Sequence, residues 1–536
     1  MKRTQVSDKQ ADREYLWAVW VSLAIMAVAS LPYLIGWGAA PAGYRFLGFT
    51  YNVDDACVYL SWMRQAADGH FFLRNLFTTE PQVGHGFNLL FFCLGTLARV
   101  LHLPLVAVFH IARVAFGFAL LLVIYGLSGI WLKDVRSRRI GLLVVGLSAG
   151  LGWLFPRMEG ISRPVDLWQP EAITFLSVYL SPLYSFPTLL MIGSLYFLHR
   201  FTATGAWKYA VSAGLVLLVL ANVHTYDLIT LAIAWSLYSA YKLVRRPPDF
   251  RPIAGGALAA IVALPAAAYQ TYFYLSEPIF RARAAVTTLS PNVAWYLVGY
   301  GLLVPLAVFG IWKSVRDRRD IGLLVCWAAA GFIAAYLPVA FQRKLIMGTH
   351  IPLSLMATLG VVGLAGYCPL RFRSALPAII LVLMIPSNLC FMSRDIGRVV
   401  SNEPHTTAHA PFVSDNEFAA LAYLRTHAGN DDVILAPPGL AVLVPGFTGR
   451  YAYSGHWGET VDFRAKLWEV IDFYSSVSSD EERRAFLRKN RIAYVLGYHR
   501  AAADDMRFVD FRIHRAPYLK PVFDTAEITV YRVTTG

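Results

Sequence analysis

The segment YNVDDACVYLSWMRQAADGHFFLRNLFTTEP, residues 51–81, lies between long apolar runs and decides how the rest of the chain is read. It joins two adjacent acids, Asp54 and Asp55, to an amphipathic stretch that ends at Asp68-Gly69. The apolar residues Val58, Leu60, Trp62, Met63 and Ala66 recur at roughly helical spacing, while Arg64, Gln65 and Asp68 fall elsewhere on the wheel. That pattern predicts a helix lying in a membrane interface. Two readings of the acids are open at this point. They cap the helix, since Asp favours the first turn and complements the helix dipole, or they carry chemistry.

Composition sets the class. Of 536 residues, 57% are hydrophobic and only 15% charged, with a mean hydropathy of +0.48. This is far too apolar for a soluble protein of such length, so the chain reads as a polytopic α-helical membrane protein. The formal charge of +14 does not point to nucleic acid. Its Lys and Arg residues stand in short clusters between apolar runs, the pattern that sets membrane topology. The cysteines, Cys57, Cys93, Cys326, Cys368 and Cys390, are widely spaced and lack metal-type CxxC spacing, which implies neither a disulfide framework nor a zinc site.

In chain order, Lys2, Arg3, Lys9 and Arg13 precede a first apolar run from Tyr15 to Ala39, which predicts a cytoplasmic amino terminus. The run is long for a signal-peptide core and is read as a span. The first loop, 41–86, is then outside. The cluster Lys133, Arg136, Arg138 and Arg139 requires an odd number of crossings before it. Phe87 to Leu101 is therefore read as interfacial or re-entrant, and Leu105 to Trp131 as the second span. Further spans are expected near Ile140 to Phe155, Pro182 to Leu198, Tyr209 to Asn222, Leu228 to Leu243, Ile253 to Tyr274, Val293 to Trp312, Ile321 to Ala340, Ile351 to Tyr367 and Ala375 to Met392. About eleven spans result, filling a transmembrane domain over 1–400, and the carboxyl terminus is outside.

From about Ser401 the composition becomes that of a soluble domain. Helices are expected at Phe418 to His427, Val461 to Phe473 and Asp480 to Lys489. Strands are expected at Val433 to Leu435, Ile492 to Leu496, Pro521 to Phe523 and Ile528 to Val533. Residues 401–536 thus form a small α/β extracytoplasmic domain. Its Gly455-His456-Trp457-Gly458-Glu459 stretch reads first as a tight turn and secondarily as a site contribution. No P-loop, nucleophile elbow, dinucleotide fingerprint or HExxH helix is present, so any chemistry belongs to the outer loops. Those loops carry polar residues at membrane edges: Glu171, the run His224-Thr225-Tyr226-Asp227, Arg281 with Arg283, and Arg343-Lys344. Charges near hydrocarbon cost roughly 2.5 to 3.5 kcal/mol each on insertion scales, so such residues face a cavity or each other. Snorkelling to headgroups is an alternative for Arg343 and Lys344. Arg113, inside the second span, is either a phosphate ligand or an ion-pair partner.

The order of elements resembles the GT-C superfamily of integral-membrane glycosyltransferases. Asp54-Asp55, the helix to Asp68-Gly69, and Glu80-Pro81 before an apolar stretch are similar to the first loop of lipid-linked sugar transferases of the protein-mannosyl and aminoarabinose-transferase type. The resemblance implies that Asp54 is the catalytic base, with Asp55 close by and Glu80 as a second acid lining the site. Arg113 matches the family's arginine early in the span after the interfacial segment. The lysine that often follows the second acid is absent, with Gln82 and Val83 in that region. The outer domain also lacks the Trp-Trp-Asp motif of oligosaccharyltransferases, which argues against transfer to asparagine.

The chemistry leads to the same place. Moving a sugar from a polyprenyl phosphate to a hydroxyl needs a base for the acceptor proton, cations for the departing phosphate, and access from the bilayer for the lipid tail. Asp54, Arg343 with Lys344, and an apolar groove between spans could supply these, with Glu80, Arg113, Glu171, His224 and Asp227 as further substrate-binding candidates. An uncompensated acid pair tends to keep one proton, so Asp55 calls for a partner such as Arg64, Arg74 or a divalent cation. No other cofactor is assigned. The expected partners are a lipid-linked sugar donor, membrane lipid, and an acceptor glycan, lipid or protein; the expected location is a bacterial inner (plasma) membrane. A transporter or flippase of a lipid-linked sugar is the alternative, as is a non-catalytic envelope-assembly protein. A transporter should show internal repeats, and none is convincing here.

Overall fold

The computed structural model describes residues 8–158, 160, 162–401, 410–475, 478–499 and 511–534, with side chains from residue 13 onward. Lys2 and Arg3 of the amino-terminal cluster lie outside the described residues, and so does the side chain of Lys9. Packing divides the chain into two units. One comprises Met1–Leu31, Phe109–Tyr272 and Thr287–Arg394, and the other Pro32–Val108, Phe273–Val286 and Asp395–Gly536. The first loop, 41–86, therefore belongs to the unit that contains the carboxyl-terminal residues.

The chain is mostly helical and is an integral membrane protein. Among the described residues four helices are long and apolar enough to cross a membrane: Arg13–Gly38, Leu105–Ser128, Arg251–Ser276 and Gln342–Tyr367. Two bent pairs, Val293–Tyr300 with Leu303–Arg316 and Ala375–Leu383 with Pro386–Ser401, raise the number to six if each is one span. Helices also occupy the other expected positions, at Val135–Leu147, Pro182–Thr204, Trp207–Val223, Asp227–Val244 and Gly322–Ala334. Two of these have only 13 residues. At 1.5 Å per residue that is about 20 Å, against ~30 Å of hydrocarbon. The same arithmetic applies to the 13-residue Leu89–Leu101, within the stretch expected to be interfacial or re-entrant. Its start is fixed by Asn88, whose side chain accepts from the Phe91 amide, and its end by His102 in a left-handed conformation.

In the second unit the predicted helix is Val53–Ala67. Ten of its fifteen residues are buried, among them Gln65, which hydrogen-bonds the backbone amide and carbonyl of Arg74. The helix packs between Leu89–Leu101 and Leu443–Thr448. Gly95 sets the first of these contacts: a Cβ there would sit 2.2 Å from the Met63 carbonyl oxygen, so any side chain would push the two helices apart.

The carboxyl-terminal residues build a five-stranded mixed sheet. Its strands are β3 (Val433–Leu435), β4 (Tyr451–Ala452), β5 (Ile492–Tyr498), β6 (Leu519–Asp524) and β7 (Ile528–Val533), in the order β4-β3-β5-β7-β6. β3 runs parallel to β4 and β5, whereas β7 is antiparallel to β5 and β6. Helices Asp415–His427, Phe463–Tyr474 and Asp480–Lys489 accompany it, the first and last opened by capping boxes at Ser414 and Ser479. Leu435, Val495 and Tyr531 from the sheet join Val470 and Phe473 from the middle helix in one buried core. A separate two-stranded ribbon pairs β1 (Tyr44–Phe46) with β2 (Phe412–Ser414), and Arg45 reinforces it through Asp415 at 2.6 Å.

Candidate active site

The acid pair sits on the first turn of Val53–Ala67, and neither acid is the cap. Asn52 occupies that position with φ 49°, and no side chain closes it. Asn52 Nδ2 instead donates to Asp55 Oδ2 at 3.3 Å. As second and third residues of the helix, both carboxylates face the positive end of its dipole, which favours their ionised forms. Asp54 is buried at 6% exposure, while Asp55 is partly open.

The residue that meets the pair is His456. Its Nε2 lies 3.3 Å from Asp55 Oδ1 and 3.7 Å from Asp54 Oδ2. On the other side of the ring, Nδ1 accepts the Gly458 amide at 3.0 Å, so in the neutral imidazole the proton is on Nε2, toward the carboxylates. Burial disfavours the imidazolium. The close carboxylate of Asp55, with the charges of Glu459 and Asp54, outweighs burial and holds the His456 pKa above its ordinary value. The Gly458 amide acts against that shift, because it requires an unprotonated Nδ1. Phe77 and Trp457 flank the ring.

The turn that carries His456 is stitched to the first loop. Thr460 Oγ1 donates to the Phe77 carbonyl at 2.7 Å and accepts from the Gly455 amide at 3.1 Å, while the Val461 amide donates to Thr78 Oγ1 at 3.2 Å. Asn75 Nδ2 donates to the Glu459 carbonyl at 2.8 Å and to its carboxylate at 3.3 Å. Glu459 is also paired with Arg283 at 2.6 Å, and that guanidinium lies 5.0 Å from the centre of the Trp62 ring. Glu80 meets the buried Lys466 at 2.6 Å and accepts from Thr78. Partial burial pushes the Glu80 carboxyl up, but the hydrogen bonds of Lys466 and Thr78 and the Lys466 charge overcome it and hold its pKa below the ordinary value. Before the acid pair, Thr50 donates at 3.3 Å to the fully buried Asp395.

Of the partners anticipated for Asp55, Arg74 pairs with Asp431 at 3.3 Å. Arg64 lies among the charges of Arg425 and Asp68; burial first, then Arg425, lowers its pKa to about 10. Among the described residues no group of three or more His, Cys, Asp or Glu side chains is disposed to hold a metal ion. The imidazole of His456 stands where a cationic partner was expected.

The remaining candidates lie in the other unit. His224 Nδ1 and Asp227 Oδ2 are 2.7 Å apart, both buried, and Tyr226 hydrogen-bonds His224 Nε2. Lys344 Nζ stands 5.6 Å from the centre of the Tyr226 ring, which brings these four residues into one cluster. Arg343 stacks on Trp168 at 5.1 Å, and its carbonyl accepts from Gln169 at 2.9 Å. Glu171, buried, follows on the Pro170–Ala172 turn. Arg113 is buried and donates to the carbonyls of Val178 and Tyr179, to Ser30 Oγ at 2.8 Å and to His110 Nδ1 at 3.2 Å. These contacts place the guanidinium at the carboxyl end of Thr174–Leu180, where it complements the helix dipole.

His456 and Glu459 were signalled only by the glycine-flanked turn, and Arg283 only by its place at a membrane edge. Lys466 and Asp395 gave no local sign.

No protein-family profile matches the sequence, and no curated protein matches it by sequence. Solved structures do match in fold. The chain is similar to the archaeal oligosaccharyltransferase AglB from Archaeoglobus fulgidus in complex with an inhibitory peptide and a dolichol-phosphate, with TM-score 0.54 and 11% identity over 89% of this chain and 69% of that one. A structure of the Archaeoglobus fulgidus oligosaccharyltransferase complexed with Zn and sulfate matches with TM-score 0.54 and 11% identity over 88% and 68%. The arabinofuranosyltransferase AftD from Mycobacteria matches with TM-score 0.52 and 15% identity over 95% of this chain but only 40% of AftD. The fold of this chain is thus similar to those of an oligosaccharyltransferase and an arabinofuranosyltransferase.

Proposed function

We propose that this protein is a membrane glycosyltransferase that moves a sugar from a polyprenyl-phosphate-linked donor to an extracytoplasmic hydroxyl, with Asp54 as general base. The observation that carries the reading is the buried Asp54 carboxylate on a helix first turn, with Asp55 beside it and His456 Nε2 within 3.7 Å. As the acceptor oxygen bonds to the anomeric carbon, its proton passes to Asp54. The bond from that carbon to the phosphate breaks, and its electron pair leaves with the phosphate. His456 balances the second carboxylate so that Asp54 stays ionised beside Asp55. Arg343 and Lys344 are assigned to the departing phosphate by their charge, and Glu80, Glu171, His224, Asp227 and Arg113 to substrate binding or its support. The dolichol-phosphate named with AglB supports a lipid phosphate as the donor class. The charge clusters support a cytoplasmic amino terminus, about eleven spans and an outer carboxyl-terminal domain, in a bacterial inner (plasma) membrane.

The purified protein, offered a panel of polyprenyl-phosphate sugars, should release polyprenyl phosphate only when an acceptor is present, and mass spectrometry should find that lipid retained on it. Movement of intact donor across proteoliposomes without cleavage would instead make the protein a flippase.

A further inference from the structure

The helical unit contains a cavity of about 870 Å³ bordered by Lys133, Asp134, Lys313, Asp317, Arg319 and Asp320. None of these belongs to the transfer chemistry, and three acids facing three cations looks neutral at first. The acids, however, are already engaged. Asp134 caps Val135–Leu147 through the amide and hydroxyl of Ser137, at 2.8 and 2.6 Å. Asp320 is held by Lys242 at 2.7 Å and by the Gly322 amide at 3.1 Å. Asp317 is paired with Lys313 at 2.8 Å. The cations left over are Lys133, whose Nζ donates only to the carbonyls of Gly129 and Ile130 among the described residues, and Arg319, whose one carboxylate contact is 3.7 Å from Asp317. Both are exposed. The surrounding segments add to the field: 133–139 carries four Lys or Arg against one Asp, and 313–320 carries four against two. A ligand entering here therefore meets unspent positive charge.

The rest of the wall is apolar. Ile130, Trp131, Leu323 and Val362 line it. On that wall, His199 Nδ1 is buried and among the described residues has no hydrogen-bond partner, a polar atom awaiting a donor or acceptor. A cationic rim beside an apolar wall in a cavity of this size matches a phosphate that carries an acyl chain.

We propose that this cavity binds one anionic phospholipid, its phosphate on Lys133 and Arg319 and an acyl chain along the apolar wall at Trp131 and Val362. The topology set by the charge clusters puts the site on the cytoplasmic side, and the proposal is independent of transfer activity. A soluble phosphate ester offers the same head chemistry but nothing for the apolar wall, so the two sources separate experimentally. Native mass spectrometry on the full detergent-solubilised chain would be titrated with phosphatidylglycerol, with phosphatidylcholine of the same chains, and with glycerol 3-phosphate.

Phosphatidylglycerol should bind in preference to phosphatidylcholine, and added salt should weaken it. The exposed double variant Lys133→Gln with Arg319→Gln should lose roughly tenfold to hundredfold in affinity, as expected for charge-assisted contacts. Val362→Trp, which fills the apolar wall at a half-buried position, should weaken phosphatidylglycerol without affecting the cations. Unchanged phosphatidylglycerol affinity in the double variant, or equal binding of phosphatidylcholine, would overturn the phosphate contact. Saturation by glycerol 3-phosphate at the same concentrations would overturn the lipid and make the site one for a soluble phosphate.

Discussion

Replacing Asp54 by Asn separates a catalytic acid from a structural one. Asn keeps the shape of the side chain at a position that is 6% exposed, so no cavity opens. What is lost in the fold is one charge on a helix first turn, worth about 0.3 to 1 kcal/mol, and a 3.7 Å contact to His456 that is too long to be a strong hydrogen bond. Because Asn52 and not Asp54 holds the cap, no capping bond is removed. Thermal unfolding should therefore move by only about a degree or two. The effect on chemistry is of another size. Loss of a general base typically costs ~100 to 10,000-fold, which at about 1.36 kcal/mol per decade is roughly 2.7 to 5.4 kcal/mol of barrier. Transfer from a polyprenyl-phosphate sugar, followed by release of the lipid phosphate, would measure it alongside a melting curve. Asp55→Asn, at the more open position, should give an equal or milder loss. An Asp54→Asn protein that keeps more than a tenth of wild-type turnover would refute the assignment of the base.

The other expectations follow from single features. Changing both Arg343 and Lys344 to Ala should leave the protein inserted but weaken donor binding and turnover by roughly one to two decades; normal values would reduce the pair to an aromatic-stacked anchor. His456 has a raised pKa in the folded state, so its contribution to stability is fully present below the ordinary imidazole pKa and is lost as pH rises through the raised one. His456→Gln should remove that downward step from the stability profile, and a profile identical to wild type would show that the ring does not titrate against the acids. For topology, Arg316→Cys should escape an impermeant thiol reagent in intact cells, whereas labelling there would invert the assignment.

Local pattern made much of the fold legible. Val433 to Leu435, Asp480 to Lys489 and Ile528 to Val533 have the expected boundaries because alternation and capping residues act over a few positions. The reading of Phe87 to Leu101 as interfacial or re-entrant rests on charge clusters that no short window contains. The polar face expected on Val53–Ala67 failed at Gln65, which is buried because the Arg74 backbone satisfies its amide. The site was half legible. Adjacent acids mark themselves, but His456, Glu459 and Lys466 reach the first loop from nearly four hundred residues away, and proximity of that kind leaves no trace in spacing. The same limit hid the ribbon of β1 and β2, two three-residue strands too short to show a period.

That ribbon has a temporal consequence. Arg45 leaves the ribosome long before Asp415, its partner 370 residues later, and Asn75 waits still longer for Glu459, 384 residues on. At about 5 to 20 residues per second the delay is roughly 20 to 80 s. During translation the first loop is thus without the segments that complete it, and the acid pair is without its imidazole. The enzyme proposed here would be switched on only late in its own synthesis: a nascent or truncated chain that ends before His456 lacks the imidazole beside the acid pair and the turn that closes over the first loop.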